Sequence, residues 1–159
     1  MTDDRGKGYE YDRDGGRMRR GKPKPPVLPE DSPGERAFRR EFDAVLEAAI
    51  ARLPQKLKDA LKEIEIIVDD YPEPALLRRP GVRPFPPTIL GFFTGTPLNK
   101  RSTFHPMEWP PQIYLFRKNI RRDSRTVQEM NEQIFITLMH ELGHALGLEE
   151  GDLRDRGIT

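Results

Sequence analysis

Apolar positions along the chain fall into short runs separated by polar and proline-rich stretches. Phe38, Phe42, Val45, Leu46, Ala49 and Leu53 recur at helical spacing, which places them on one face of a helix. Ser32-Pro33-Gly34-Glu35 has the form of a capping box with proline at the first helical position, so the helix starts there. Pro54 interrupts it, and Gln55 to Leu61 reads as a shorter helical piece. Ile64 to Val68 is β-rich and bounded by Asp69-Asp70-Tyr71-Pro72, the pattern of a strand. Residues 72–88 hold six prolines and read as a loop. Ile89 to Thr94 reads as a second strand closed by Gly95-Thr96-Pro97, Lys100 to Pro111 as a further loop, and Gln112 to Phe116 as a third strand. Thr126-x-x-Glu129 is a second candidate capping box, with Asp123 and Ser124 as alternative caps. Behind it Val127, Met130, Ile134, Leu138, Leu142 and Ala145 mark the buried face of a long helix, which Gly147 stops.

The order helix, strand, strand, strand, helix predicts an α+β domain. Two long helices pack on a small mixed or antiparallel sheet of about three strands, with the second helix near the C-terminus. That domain spans 32–159. Residues 1–31 read as a disordered tail, because they lack apolar periodicity and carry four prolines between Lys22 and Pro29. Arg17, Arg19, Arg20, Lys22 and Lys24 suit either an anionic-surface tether or a solvated tail, and the interleaved acids favour the latter.

Composition sharpens this in three ways. Charged residues make up 33% of the 159 positions, and 16 are proline, which is polar for a packed chain. Lys and Arg number 27 against 26 Asp and Glu, so the net charge of +1 carries no nucleic-acid signal. Cysteine is absent, which excludes disulfides, thiolate metal sites and thiol catalysis and fits a reducing compartment. With no apolar run of membrane-spanning length and no signal-peptide core, the expectation is a cytoplasmic protein without a membrane partner.

The candidate chemistry lies in His140-Glu141-Leu142-Gly143-His144. On a helix, His140 and His144 stand one turn apart on the same face and can share one ion at about 2.0–2.1 Å, and the ion expected is zinc. Glu141 points around the helix, too close in sequence to share the ion comfortably. It can reach a water bound to the ion, the position of a general base. A catalytic zinc takes three protein ligands. The motif continues to His140-Glu141-x-x-His144-x-x-Gly147-x-x-Glu150, where Gly147 can turn the chain back under the metal. Glu150 is the candidate third ligand and Asp152 the rival two residues on, while a solvated acidic turn is the plain alternative for both. His105, in the loop before the third strand, and Tyr114 are candidates to assist a reaction intermediate.

These residues resemble the small zincin-like metallopeptidases sometimes called minizincins, a minimal bacterial relative of the metzincins. The likeness runs from Glu35 to Leu153. It includes Phe42 to Leu53 ending in Leu-Pro, the strand Ile64 to Val68, Leu90-Gly91-Phe92-Phe93-Thr94-Gly95-Thr96-Pro97-Leu98, Pro111 to Phe116, and above all His140 to Leu148. It implies a small zincin-like fold with the motif on its last long helix. The family usually carries aspartate or histidine where Glu150 stands. The methionine turn of true metzincins is absent, because no methionine follows His144.

Two functions fit. One is a zinc-dependent metallopeptidase acting on a peptide or protein substrate, with Glu141 as general base. The other is a non-catalytic zinc-binding or interaction module. Glu141 separates them, since hydrolysis needs it and a structural site does not.

Overall fold

In a computed structural model, the structure describes residues 9–11, 18–20, 32–79, 82, 85–102 and 109–157. The chain divides into two compact units, Met1–Glu41 and Phe42–Thr159. In the first, β1 (Tyr9–Tyr11) pairs antiparallel with β2 (Met18–Arg20), Tyr9 opposite Arg20. The remainder of the 1–31 segment, expected to be disordered, lies outside the described residues. Helix α1 (Pro33–Arg52) begins at the expected cap, where the Glu35 N–H donates to Ser32 Oγ at 3.1 Å.

The second unit takes in the rest of α1, whose Phe42, Leu46, Ala49 and Leu53 are buried as their spacing predicts; Val45 is only half-buried. After Pro54 comes α2 (Gln55–Leu61), then β3 (Glu65–Asp69). A short helix, α3 (Pro74–Leu77), lies within the stretch expected to be loop, where Pro74 fills the first helical turn. Strand β4 (Gly91–Thr94) is shorter than its apolar run, and a 3-10 turn, Leu98–Lys100, follows it. Strand β5 (Gln112–Phe116) leads directly into α4 (Arg117–Asp123), α5 (Val127–Ala145) carries the motif, and α6 (Glu150–Asp155) closes the described chain.

The sheet is mixed, in the order β3-β5-β4. Strand β5 is central, parallel to β3 with Ile66 opposite Ile113, and antiparallel to β4 with Phe92 opposite Tyr114. Its Ile-Tyr-Leu-Phe run is buried throughout, as a strand covered on both faces must be. Helix α5 packs on β4 and β5, and α4 packs on α5. At the end of α1, Arg52 pairs with Glu132 at 3.0 Å and lies over the Phe135 ring. On the other face Leu76, Tyr114 and Phe116 form an apolar cluster with Ile67, Phe85, Ile89 and Phe92. The two-helix expectation did not supply this second cover.

Helix α4 was not expected. Its sequence is nearly all polar, and its start has no side-chain cap. Tertiary contacts hold it instead: Ile120 is fully buried, and Arg117 pairs with Asp70 at 2.9 Å. The Asn119 amide donates to the carbonyls of Pro87 (2.9 Å) and Ile89 (2.8 Å), fixing the segment that feeds β4. Helix α5 starts at Thr126, whose hydroxyl accepts the Glu129 N–H at 3.1 Å. Met130, Ile134, Leu138, Leu142 and Ala145 are buried, but Val127, at the first helical position, is 49% exposed. Among the described residues no helix is long and apolar enough to cross a membrane.

Candidate metal centre

Helical geometry sets the first pair. His140 and His144 project from the same side of α5, their Nε2 atoms 3.1 Å apart. The His144 Nδ1 lies 3.1 Å from the Leu148 carbonyl oxygen. A carbonyl only accepts, so Nδ1 carries the proton and Nε2 keeps its lone pair for an ion.

The end of α5 turns the chain back. Gly147 has φ +88°, the left-handed conformation expected of it. Its N–H donates to His144 O and the Leu148 N–H to Gly143 O, each at 2.9 Å, the two bonds of a Schellman end. A Cβ on Gly147 would collide with the Asn99 side chain, so the turn also packs tightly on the 3-10 segment.

Beyond the turn, the acids divide their roles by position in α6. Glu149 caps the helix, and its own N–H donates to Asp152 Oδ2 at 3.0 Å in a reciprocal capping box. Asp152 is thereby engaged in the cap. Glu150 instead faces α5, its Oε1 3.2 Å from His140 Nε2 and 2.9 Å from His144 Nε2. Leu153, the one buried residue of α6, holds the helix in place. It lies over Gly143, where a Cβ would collide with its Cδ2. The glycine inside the motif therefore makes room for the element that carries Glu150. A lone leucine in an acidic stretch was the only sequence signal for this contact, and the Leu148 carbonyl had none.

His140, His144 and Glu150 together form a group able to hold a metal ion. An ion bound tetrahedrally at about 2.0–2.1 Å needs its ligands roughly 3.3–3.4 Å apart. The three separations of 3.1, 3.2 and 2.9 Å lie within a few tenths of an ångström of that. Two imidazoles and a carboxylate are also a donor set that zinc accepts. Burial alone would raise the Glu150 carboxyl, but without an ion, when the histidines take up a proton at Nε2 as well, their charge and hydrogen bonds outweigh it and hold the group below its usual range.

Glu141 is 7% exposed, between α5 and β4. Burial pushes its carboxyl up to about 7, against the lowering effect of both histidines and of the Phe93 backbone N–H, which donates to it. Beside this group opens a cleft of about 750 Å³, walled on one side by β4 and on the other by Thr137, His140, Glu141 and His144. Tyr114 is not brought to the centre: its hydroxyl lies 3.1 Å from Arg79 Nη1 and 3.5 Å from Gln112 Oε1, within the second-face cluster. His105 lies outside the described residues.

The family model of the zincin-like metallopeptidases matches residues 61–158, more than half of the chain and all of the elements that build this centre. Comparison with individually curated proteins gives no match.

Proposed function

The chain belongs to the zincin-like metallopeptidases, and from this we propose that it is a zinc-dependent peptidase in which His140, His144 and Glu150 hold the ion and Glu141 moves the proton. One observation carries the reading. The convergent imidazoles and carboxylate share a cleft with a buried glutamate and an edge strand. When bound, zinc polarises the scissile carbonyl and acidifies water.

Glu141 is suited to the remaining work. Its burial holds the proton affinity near neutrality, where a group can both accept and release a proton. It takes the proton of the attacking water as oxygen bonds to the carbonyl carbon. It then delivers that proton to the leaving nitrogen as the C–N bond breaks, giving a carboxylic acid and an amine; the water's second proton then passes from the acid to the amine, leaving a carboxylate and an ammonium group. The Phe93 N–H steadies the carboxylate between these steps. Among the described residues strand β4 pairs only with β5, so its other edge can receive an extended peptide by strand addition. A non-catalytic zinc module would leave unexplained why a carboxyl is buried beside an open cleft.

The test is zinc analysis of the purified chain, followed by cleavage of a broad peptide library with and without chelator. About one zinc per chain and chelator-sensitive cleavage are expected, and replacing both histidines by alanine should remove the zinc. Glu141→Gln should keep the zinc and lower the rate by at least about 10²–10⁴, because an amide cannot accept the proton. Full activity in that variant would refute the mechanism. If Asp152→Ala strips the metal while Glu150→Ala does not, the third ligand is Asp152.

A further inference from the structure

A second depression of about 150 Å³ opens at the far end of β4, lined in part by Arg79, Thr94, Gly95, Trp109 and Gln112. Thr94 and Gly95 also line the larger cleft, so the two are neighbours along one strand. The metal centre and the smaller depression lie on different faces of the sheet, and the larger cleft reaches from one to the other past β4, since Phe85, Ile89 and Phe92 line it too. A Cβ at Gly91 would meet Thr137 and Glu141, so odd-numbered positions of β4 face the helix and the metal centre. Side chains alternate along a strand. Phe92 accordingly joins the cluster on the other face, and Thr94, opposite Gln112, shares that side.

We propose that Arg79 and Trp109 form a carboxylate-binding subsite that takes an acidic side chain of the peptide lying along β4. The inference rests on the peptidase reading, because a strand added to β4 presents alternate side chains to this face. Arg79 is aimed by its bond to the Tyr114 hydroxyl, with the guanidinium 6.0 Å from the Tyr114 ring centroid. Among the described residues no carboxylate pairs with it. A guanidinium with N–H groups to spare binds a carboxylate through two parallel bonds. Trp109 is 61% exposed, an unusual setting for a large ring and a suitable wall against which a bound chain can pack. The cavity admits one short side chain, which selects a carboxylate group over a larger anion.

Trp109 is the only tryptophan in the chain, so its fluorescence reports from the subsite itself. The full-length zinc-loaded protein is titrated with end-capped alanine-rich octapeptides carrying one Glu or one Gln at successive positions. A third series carries Gln and a free C-terminal carboxylate, and cleavage is followed in the same samples. At one position the Glu peptide should bind about two- to fivefold more tightly than its Gln twin, as expected for a charge pair at a partly solvated surface. Arg79→Ala should abolish that preference, Arg79→Lys should keep part of it, and 1 M salt should erode it. Tighter binding of the free-acid series alone would overturn the side-chain assignment in favour of the peptide C-terminus as the source of the carboxylate. Equal binding of all three series, or a preference that survives Arg79→Ala, overturns the subsite. Preference without cleavage upholds the subsite and removes the peptidase reading, and cleavage without preference does the reverse.

Discussion

Leu153→Ala should weaken zinc binding although residue 153 is not one of the proposed ligands. The side chain is fully buried and is the one buried residue of a six-residue helix. A helix that short has no stability of its own, so its docking depends on that contact with Gly143. Truncating a buried leucine to alanine costs about 2–5 kcal/mol. Here the loss falls first on the docking of α6, which has no other buried side chain. A loss of about 2 kcal/mol changes the docking equilibrium roughly 30-fold. Glu150 faces the histidines only while α6 is docked, so apparent affinity falls with the docked fraction. We expect zinc affinity to drop about 10- to 100-fold, bounded by the drop in Glu150→Ala, with a small change in the melting temperature of the metal-free chain. Competition against a chromophoric chelator measures the first and thermal unfolding the second. The decisive comparison is the double variant. On a Glu150→Ala background, Leu153→Ala should have no further effect on zinc. Unchanged zinc affinity in the single variant, or an undiminished effect in the double, would refute the reasoning.

Gly147→Ala should lower stability by about 1–2 kcal/mol, read as a lower urea midpoint, because alanine is strained in the left-handed conformation at φ +88° and its Cβ meets Asn99. Asn119→Ala leaves the Pro87 and Ile89 carbonyls without their donor and should cost about 1–3 kcal/mol, while zinc content stays unchanged. A chain beginning at Asp31 should keep its melting temperature and zinc content; loss of either would mean that the tail packs on the domain.

Where structure follows from neighbours in sequence, the sequence alone was sufficient. The stripe of α1, the caps at Ser32 and Thr126, the break at Pro54 and the turn at Gly147 are all set within a few residues, so their spacing revealed them. The meeting of His140 and His144 is of the same kind, since one turn of helix brings them together in any context. Val127 shows where such reasoning stops: its spacing is right, but at the first turn it stays half exposed.

What the tertiary structure decided is which distant segments meet. Polar α4 is held by Ile120, Asp70 and the loop carbonyls, none of which leaves a periodic signal in its own sequence. The central place of β5 depends on partners about 20 and 47 residues away in the chain. Burial of Glu141 requires β4 to lie against α5, and only that burial raises its carboxyl, since the motif's own histidines lower it. The orientation of Glu150 was likewise fixed from outside, by Leu153 seated on Gly143 and by Asp152 engaged in the cap. Spacing had left Glu150 and Asp152 both open, because local geometry limits how far each can reach, whereas packing selects which of them faces the histidines.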